Sequence, residues 1–388
     1  MPVLLRRVSA VALLLLAACA DGGTSPSSGG GGGTRSVAEA LTVDLAAVPN
    51  YTHPQWTVDF DSDVQQRIND PLGNPLTDRG ALLGRVLFYD RHLSINQAIR
   101  CATCHKPARA FTDDQRFSPG FNGTDRTTFR TMSLLNVRFY AAGQAFWNRR
   151  APSFEAQATM PIVHPVEMGF DSTHGGIDSL LTRLGTLGYY RELFTWVYGD
   201  SVITEARMQL ALAQFVRSLM SYRSRFDDGW SAVYDIGQPD RGLSRPFPNF
   251  TAAENHGKQL FIISPASGGG GCASCHVPPT FALEPGSGSN GLDAGETRVF
   301  KSPSLRSVAI RAPYMHDGRF ASLGTVVTHY VRGVKEGPAL DSRLRGPAGG
   351  LQQLHLTLQD QADLVAFLKT LTDTTIARDP KFADPFRR

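Results

Sequence analysis

Two short segments hold most of the side chains able to do redox or metal chemistry. Cys101-Ala102-Thr103-Cys104-His105 and Cys272-Ala273-Ser274-Cys275-His276 both read C-x-x-C-H. In that order two thiols add to the two vinyl groups of a haem, and the adjacent imidazole sits under the iron as its proximal ligand. In a chain with so few Cys and His, one chance match is expected at roughly one in a thousand, and two are negligible. A zinc site usually brings its two ligand pairs closer together in sequence. A pair of redox disulfides gives no reason for His at the same offset twice. These residues predict two covalently bound haems c, with all four cysteines consumed and no disulfide.

The remaining cysteine is Cys19, and it directly follows what reads as a leader. Arg6 and Arg7 precede an apolar run from Val8 to Ala18 that ends in Leu16-Ala17-Ala18-Cys19. A basic start, a short apolar stretch and small residues at a cleavage point describe a secretory signal over residues 1–18, too short to span a bilayer. Leu-Ala-Ala-Cys is similar to the lipobox of bacterial lipoproteins, which makes Cys19 the acylated N-terminus. Residues 19–36, with Gly29 to Gly33, read as a flexible tether reaching roughly 20–25 Å. The expectation is a periplasmic lipoprotein held to a membrane by its lipid. The rest of the 388 residues suffices for two domains. A net charge of +4, part of it in the leader, is too weak to argue for nucleic acid. The 38 Gly and 24 Pro predict much loop, and long strand periodicity is absent.

The elements that must position the two signatures are helices. Leu82, Leu83, Val86 and Leu87 recur at helical spacing over Thr77 to Asp90, ahead of the first signature. Thr251 and Glu254 make a capping box that opens a helix to Ile263, ahead of the second. Thr204 caps an amphipathic helix to Tyr222, and Leu364, Phe367, Leu368 and Leu371 stripe another over Leu358 to Leu371. A helix before each haem and one after it would cross, as in small cytochromes c, and the similar surroundings suggest a repeated unit. The fold class expected is mainly α, with two cytochrome c-like domains and long loops. The Pro-containing stretch Ser231 to Asn249 is the boundary, giving domains at 37–240 and 241–388.

Several segments resemble the bacterial di-haem cytochrome c peroxidase family, its MauG-like branch included. They are Leu83 to Asp90 (LGRVLFYD), Phe146-Trp147, Pro161 through Pro165-Val166-Glu167-Met168-Gly169, Phe300 to Arg306 (FKSPSLR) and Ala312 to Gly318 (APYMHDG). The resemblance covers about Leu76 to Leu371. It implies that the haem on His105 reacts with peroxide and that the haem on His276 is six-coordinate and passes electrons. It implies Trp147 between the haems, Glu167 as the distal acid, and Gln157 and Pro161 in the same pocket. Peroxide heterolysis asks for a group that moves a proton between the two oxygens, which suits Glu167. His164 is read as a packing or surface residue.

The chain departs from typical peroxidases twice. Phe117 to Arg130 contains no histidine, where the family carries a loop histidine that ligates the first haem at rest. The N-terminal haem is then expected to be five-coordinate without reductive activation. Fourteen residues after His316, where typical members place a methionine ligand, stands Tyr330, as in the MauG-like branch. Met315 and His329 are rival ligands, and a packing role for Tyr330 stays open. The family also binds calcium between its domains. The carbonyls map to Arg311 and Pro313, but the asparagine position falls near Arg130, which cannot ligate a cation. The function implied is reduction of hydrogen peroxide with electrons from a small donor protein, a cytochrome c or a cupredoxin. The alternatives are MauG-like oxidation of residues on a partner protein and a non-enzymatic electron-transfer cytochrome.

Overall fold

The computed structural model describes residues 35–141, 143–283 and 286–388; Cys19 and the leader lie outside them. Among the described residues pairing between extended segments is confined to isolated bridges, and the chain is helical with long irregular connections. Two single turns, α1 (Val37–Ala40) and α2 (Ser62–Gln65), precede α3 (Asp78–Tyr89). Thr77 starts α3 by accepting the N–H of Gly80 at 3.0 Å. The first signature forms α4 (Cys101–Cys104). Then come α5 (Phe154–Thr159), α6 (Gly176–Gly185), α7 (Gly188–Tyr198) and α8 (Glu205–Ser218), the last capped by Thr204. After α9 (Arg225–Ser231) comes α10 (Ala252–Ile262), which carries the expected capping box of Thr251 and Glu254. Ser322 caps α11 (Leu323–Arg332), and α12 (Leu358–Thr370) ends the helical part.

The two halves are built alike. The long helix before each signature crosses a later helix so closely that only glycine fits between the backbones. A Cβ at Gly84 of α3 would stand 1.9 Å from the Ala211 carbonyl oxygen of α8. A Cβ at Gly257 of α10 would stand 1.9 Å from that of Asp363 in α12. Farther along, Phe146 and Met315 both take left-handed backbone (φ 66° and 74°), one residue before Trp147 and His316. Each lies in a loop closed by an isolated bridge, Ala145 with Ala151 and Tyr314 with Phe320. Strained backbone of this kind persists where packing over-determines it, often beside functional groups.

Apolar burial follows the same plan. Leu83, Leu87 and Phe88 of α3 pack with Leu212 and Phe215 of α8, and Ile376 and Phe382 of the C-terminal tail join them. Leu260 and Phe261 of α10 pack with Leu364, Phe367 and Leu368 of α12, joined by Phe226 and Trp230 of α9. Phe60, Phe139, Tyr140 and Phe154 belong to a third cluster. α9 is anchored by Asp227, whose two carboxylate oxygens each accept from Arg306 at 2.6 Å with both side chains fully buried. Asp59, 1% exposed, lies close to this pair and its carboxyl oxygens have no hydrogen-bond donor.

Candidate redox site

A cavity of about 180 Å³ has Cys101, Cys104 and His105 on its wall, together with Trp147, Gln157, Pro161, His164 and Glu167. The imidazole of His105 is oriented by its own loop. A carbonyl only accepts, so Nδ1 of His105 carries the hydrogen that bonds Phe111 O at 2.9 Å. Nε2 is left unprotonated, with its lone pair available to a metal. Burial lowers the affinity of this ring for a second proton. Burial also pushes the Cys101 thiol up to about 12 and the Cys104 thiol up to about 11, and the two are not bonded to each other.

The opposite wall is polar. Burial raises the Glu167 carboxyl above its ordinary value, and His164 and Arg150 offset part of that rise. His164, expected to be a packing or surface residue, has a side chain 42% exposed and also stands on this wall, with its Nδ1 4.0 Å from Glu167 Oε1. Its Nδ1 accepts the backbone N–H groups of Val166 (3.2 Å) and Glu167 (3.3 Å), which fixes the turn carrying the acid. Pro119, Thr127, Thr128 and Phe129 of the histidine-free segment also line the cavity.

A second cavity, of about 360 Å³, repeats the design around Cys272, Cys275 and His276. Nδ1 of His276 donates to Pro303 O at 3.0 Å, and burial pushes the ring down to about 4. Nε2 is again the unprotonated nitrogen, with Ser302 Oγ 3.5 Å from it. Tyr330 of α11 lines this cavity. His329, one residue earlier and so about 100° around the helix, points elsewhere, its Nε2 donating to Asn290 O at 3.0 Å. That removes one rival ligand. Met315 is on the wall too, and its Sδ accepts from Asn290 at 3.4 Å. Burial pushes the Tyr330 phenol up to about 12, with a contact from Asn290 pulling the other way. A phenolate at this depth calls for a cation in the cavity. The two cavities, with paired cysteines, a preset imidazole and an opposing polar wall, fit the binding of haem at both signatures.

Trp147 lines both cavities, with Arg130, Met132, Ser133 and Lys301. Its indole N–H donates to Arg130 O at 2.7 Å, and its own carbonyl accepts from Lys301 N at 2.7 Å. The expected calcium site between the halves does not fit a dication. The Arg311 carbonyl accepts the guanidinium of Arg130 at 2.6 Å, and the Ala312 carbonyl accepts Arg109 at 3.3 Å. Arg130 also donates to Asp113 O (2.7 Å), Thr131 O and Thr112 Oγ1 (both 3.1 Å). A fixed organic cation therefore holds the junction, and the mutual repulsion of Arg109, Arg130 and Arg311 would oppose any added charge.

Sequence reasoning singled out the signatures, Trp147, Glu167 and Tyr330, all of which line these cavities. It assigned no role to Lys301, although the residue stands inside the FKSPSLR motif, and none to Arg150 or Asn290.

A family profile described as di-haem cytochrome c peroxidase matches residues 78–232. The chain is 33% identical over 322 residues to the methylamine utilization protein MauG of Methylorubrum extorquens, covering 79% of this chain and 82% of that one. It is 28% identical over 310 residues to the cytochrome c551 peroxidase of Nitrosomonas europaea, covering 75% and 79%. The fold superposes on a crystal structure of a MauG-like protein associated with microbial copper homeostasis with a TM-score of 0.67, at 28% identity and over 87% of this chain and 99% of that one.

Proposed function

The chain belongs to the di-haem cytochrome c peroxidase family, and from that premise we propose that it reduces hydrogen peroxide at the N-terminal cavity with electrons delivered through the C-terminal one. The observation that carries this reading is Glu167. Its carboxyl is held above its ordinary pKa, on the wall of the same cavity as a pre-oriented His105. Haem bound covalently through Cys101 and Cys104, and through Cys272 and Cys275, supplies the exchange of electrons. His105 and His276 would hold the irons through Nε2, and Tyr330, on the wall of the C-terminal cavity, would be a further ligand of the second iron.

The remaining work belongs to the chain. Glu167 accepts the proton of one peroxide oxygen and returns it to the other, so that the O–O bond breaks with water as the leaving group. Two electrons and two protons complete the conversion of peroxide to two waters. Gln157, on the same wall, orients the peroxide, and Trp147, which belongs to both walls, lies on the electron route. Glu167→Gln keeps size and removes the base. Peroxide consumption with a reduced small cytochrome c or cupredoxin should fall by ~10²–10⁴-fold. A wild-type rate in this variant would overturn the assignment.

A second reading, oxidation of residues on a partner protein, is supported by Tyr330 on the wall of the C-terminal cavity and by the lack of histidine from Phe117 to Arg130. An anionic oxygen donor stabilises ferric and higher states, which suits storage of oxidising equivalents. Peroxide consumed by the protein without any reduced donor, with matching oxidation of a partner, would favour this reading over the first. We also propose that the mature protein starts at acylated Cys19 and works tethered in the periplasm. Among the described residues no helix is long and apolar enough to cross a membrane. Mass spectrometry of the N-terminal peptide checks the acylation.

A further inference from the structure

Lys301 leaves the segment that orients His276, next to Ser302 and Pro303. Its side chain is 4% exposed and lines both cavities. The ammonium nitrogen lies 4.2 Å from the ring centre of Tyr140 and 5.8 Å from that of Phe154. Phe154 begins α5 and is part of the wall of the N-terminal cavity, so the chain of Lys301 starts at the C-terminal site and its charge ends at the N-terminal one.

Among the described residues the ammonium meets ring faces and neither a carboxylate nor another hydrogen-bond acceptor. The other cations on these walls are accounted for. Arg130 is held through both terminal nitrogens as described above, its Nε alone lacking a partner; Arg311 donates to Ser304 O at 2.6 Å, and Arg343 pairs with Asp341 at 2.7 Å. Arg150 is exposed and lies over the Phe146 ring. Burial alone pushes Lys301 down to about 7, with no acid drawing it back. A charge buried this far is costly unless an anion meets it, and ring faces replace only part of what water gave. The haem that suits the N-terminal cavity brings such an anion, since it carries two propionate carboxylates.

We infer that Lys301 is a cofactor-binding residue whose ammonium pairs with a propionate of the haem in the N-terminal cavity. The inference rests on that cavity holding haem. Because the same residue's N–H donates to Trp147 O, the contact ties the wall of one haem site to the charge of the other. An ammonium beside a propionate offsets its negative charge and favours the ferrous state, so its loss should lower the potential of that haem alone.

The test uses the holoprotein with Lys301→Met and Lys301→Arg. A pyridine haemochrome count checks occupancy separately from the potential. A redox titration then follows each haem by its own spectrum. In Lys301→Met the ferrous-to-ferric ratio of the N-terminal haem at fixed potential should fall at least threefold, about 30 mV for one electron. Lys301→Arg should stay within that margin of wild type, and the C-terminal haem should not move in either. Two haems with an unmoved N-terminal potential, or a shift confined to the C-terminal haem, would overturn the inference. A wild-type count of one haem, missing from Cys101 and Cys104, would overturn the reading beneath it. If Lys301→Met does not accumulate, resonance Raman of wild type against Lys301→Arg decides. The propionate bending band of the N-terminal haem should differ between them, and an identical band would refute the pairing.

Discussion

Gly84→Ala and Gly257→Ala should each loosen one haem domain and leave the other intact. The new Cβ would stand 1.9 Å from a backbone carbonyl, of Ala211 in the first case and of Asp363 in the second. A carbon and a carbonyl oxygen do not approach within 3.0 Å, so the crossing helices must part by at least about 1 Å. The obstacle is helix backbone, which cannot swing aside as a side-chain tip would. A gap of that size forfeits about a quarter to a half of the dispersion attraction at each contact it opens, and overpacking of this sort typically costs about 1–3 kcal/mol. Alanine regains about 1 kcal/mol of helix propensity. With the packing loss near the top of its range, the net is about 2 kcal/mol, or a Tm lower by roughly 4–8 °C for a domain near 200 residues. Thermal melts followed at wavelengths that separate the two haems would show Gly84→Ala disturbing the surroundings of the haem on His105 first, and Gly257→Ala those of the haem on His276 first. Unchanged melting in both variants would refute the close crossing, and identical effects on both haems would refute the independence of the two cores.

Tyr330→Phe should change the spectrum of the C-terminal haem alone, because Tyr330 lines that cavity while His329 is engaged with Asn290 O; an unchanged spectrum would pass the ligand role to Met315. Chelation with EDTA should leave both haem spectra and peroxide turnover unaltered, since the Arg130 guanidinium already holds the Arg311 carbonyl at 2.6 Å; loss of activity restored by calcium would contradict this. Burial and the neighbouring Asp227 carboxylate push Asp59 up to about 7 from 3.8. The folded chain then keeps a proton that the unfolded chain has lost between about pH 4 and pH 7, so this contribution is complete below pH 4 and is lost as pH rises through about 7. Asp59→Asn should flatten that slope and raise denaturant resistance at pH 7.5, and a steeper slope in the variant would refute the assignment.

How much of this was legible in the chain follows the range of each interaction. The signatures, the Thr204 cap and the capping box of Thr251 and Glu254 are written within a few residues, and the helices begin where those residues put them. α6 and α7 start without a side-chain cap, so their onset carried no local signal. α9 lies upstream of position 241 and packs in the second core, while Ile376 and Phe382 return to the first, so apolar composition along the chain did not mark which core each would enter. Trp147, Glu167 and Tyr330 were found through motif order, and no spacing rule placed them on cavity walls.

The cations were the hardest to read, for a physical reason. Whether an arginine or lysine is a solvated surface charge or a buried structural one depends on what faces it, and here the facing groups are remote. Arg130 meets a carbonyl 181 positions away, and Arg306 meets a carboxylate 79 positions away. Once placed, these charges divide by their partners. Arg306 and Arg343 have carboxylates, and Arg130 and Arg311 have carbonyls. Neutral acceptors satisfy the hydrogen bonds of a guanidinium without cancelling its charge, so Arg130, Arg311 and Lys301 leave an excess of positive charge around Trp147. An excess of that kind disfavours a positive hole on the indole and favours anionic groups in the adjoining cavities. On the proposed electron route, flow past Trp147 should depend on how completely bound carboxylates neutralise this cluster, and Lys301, which meets only ring faces, is the member of it most open to that control.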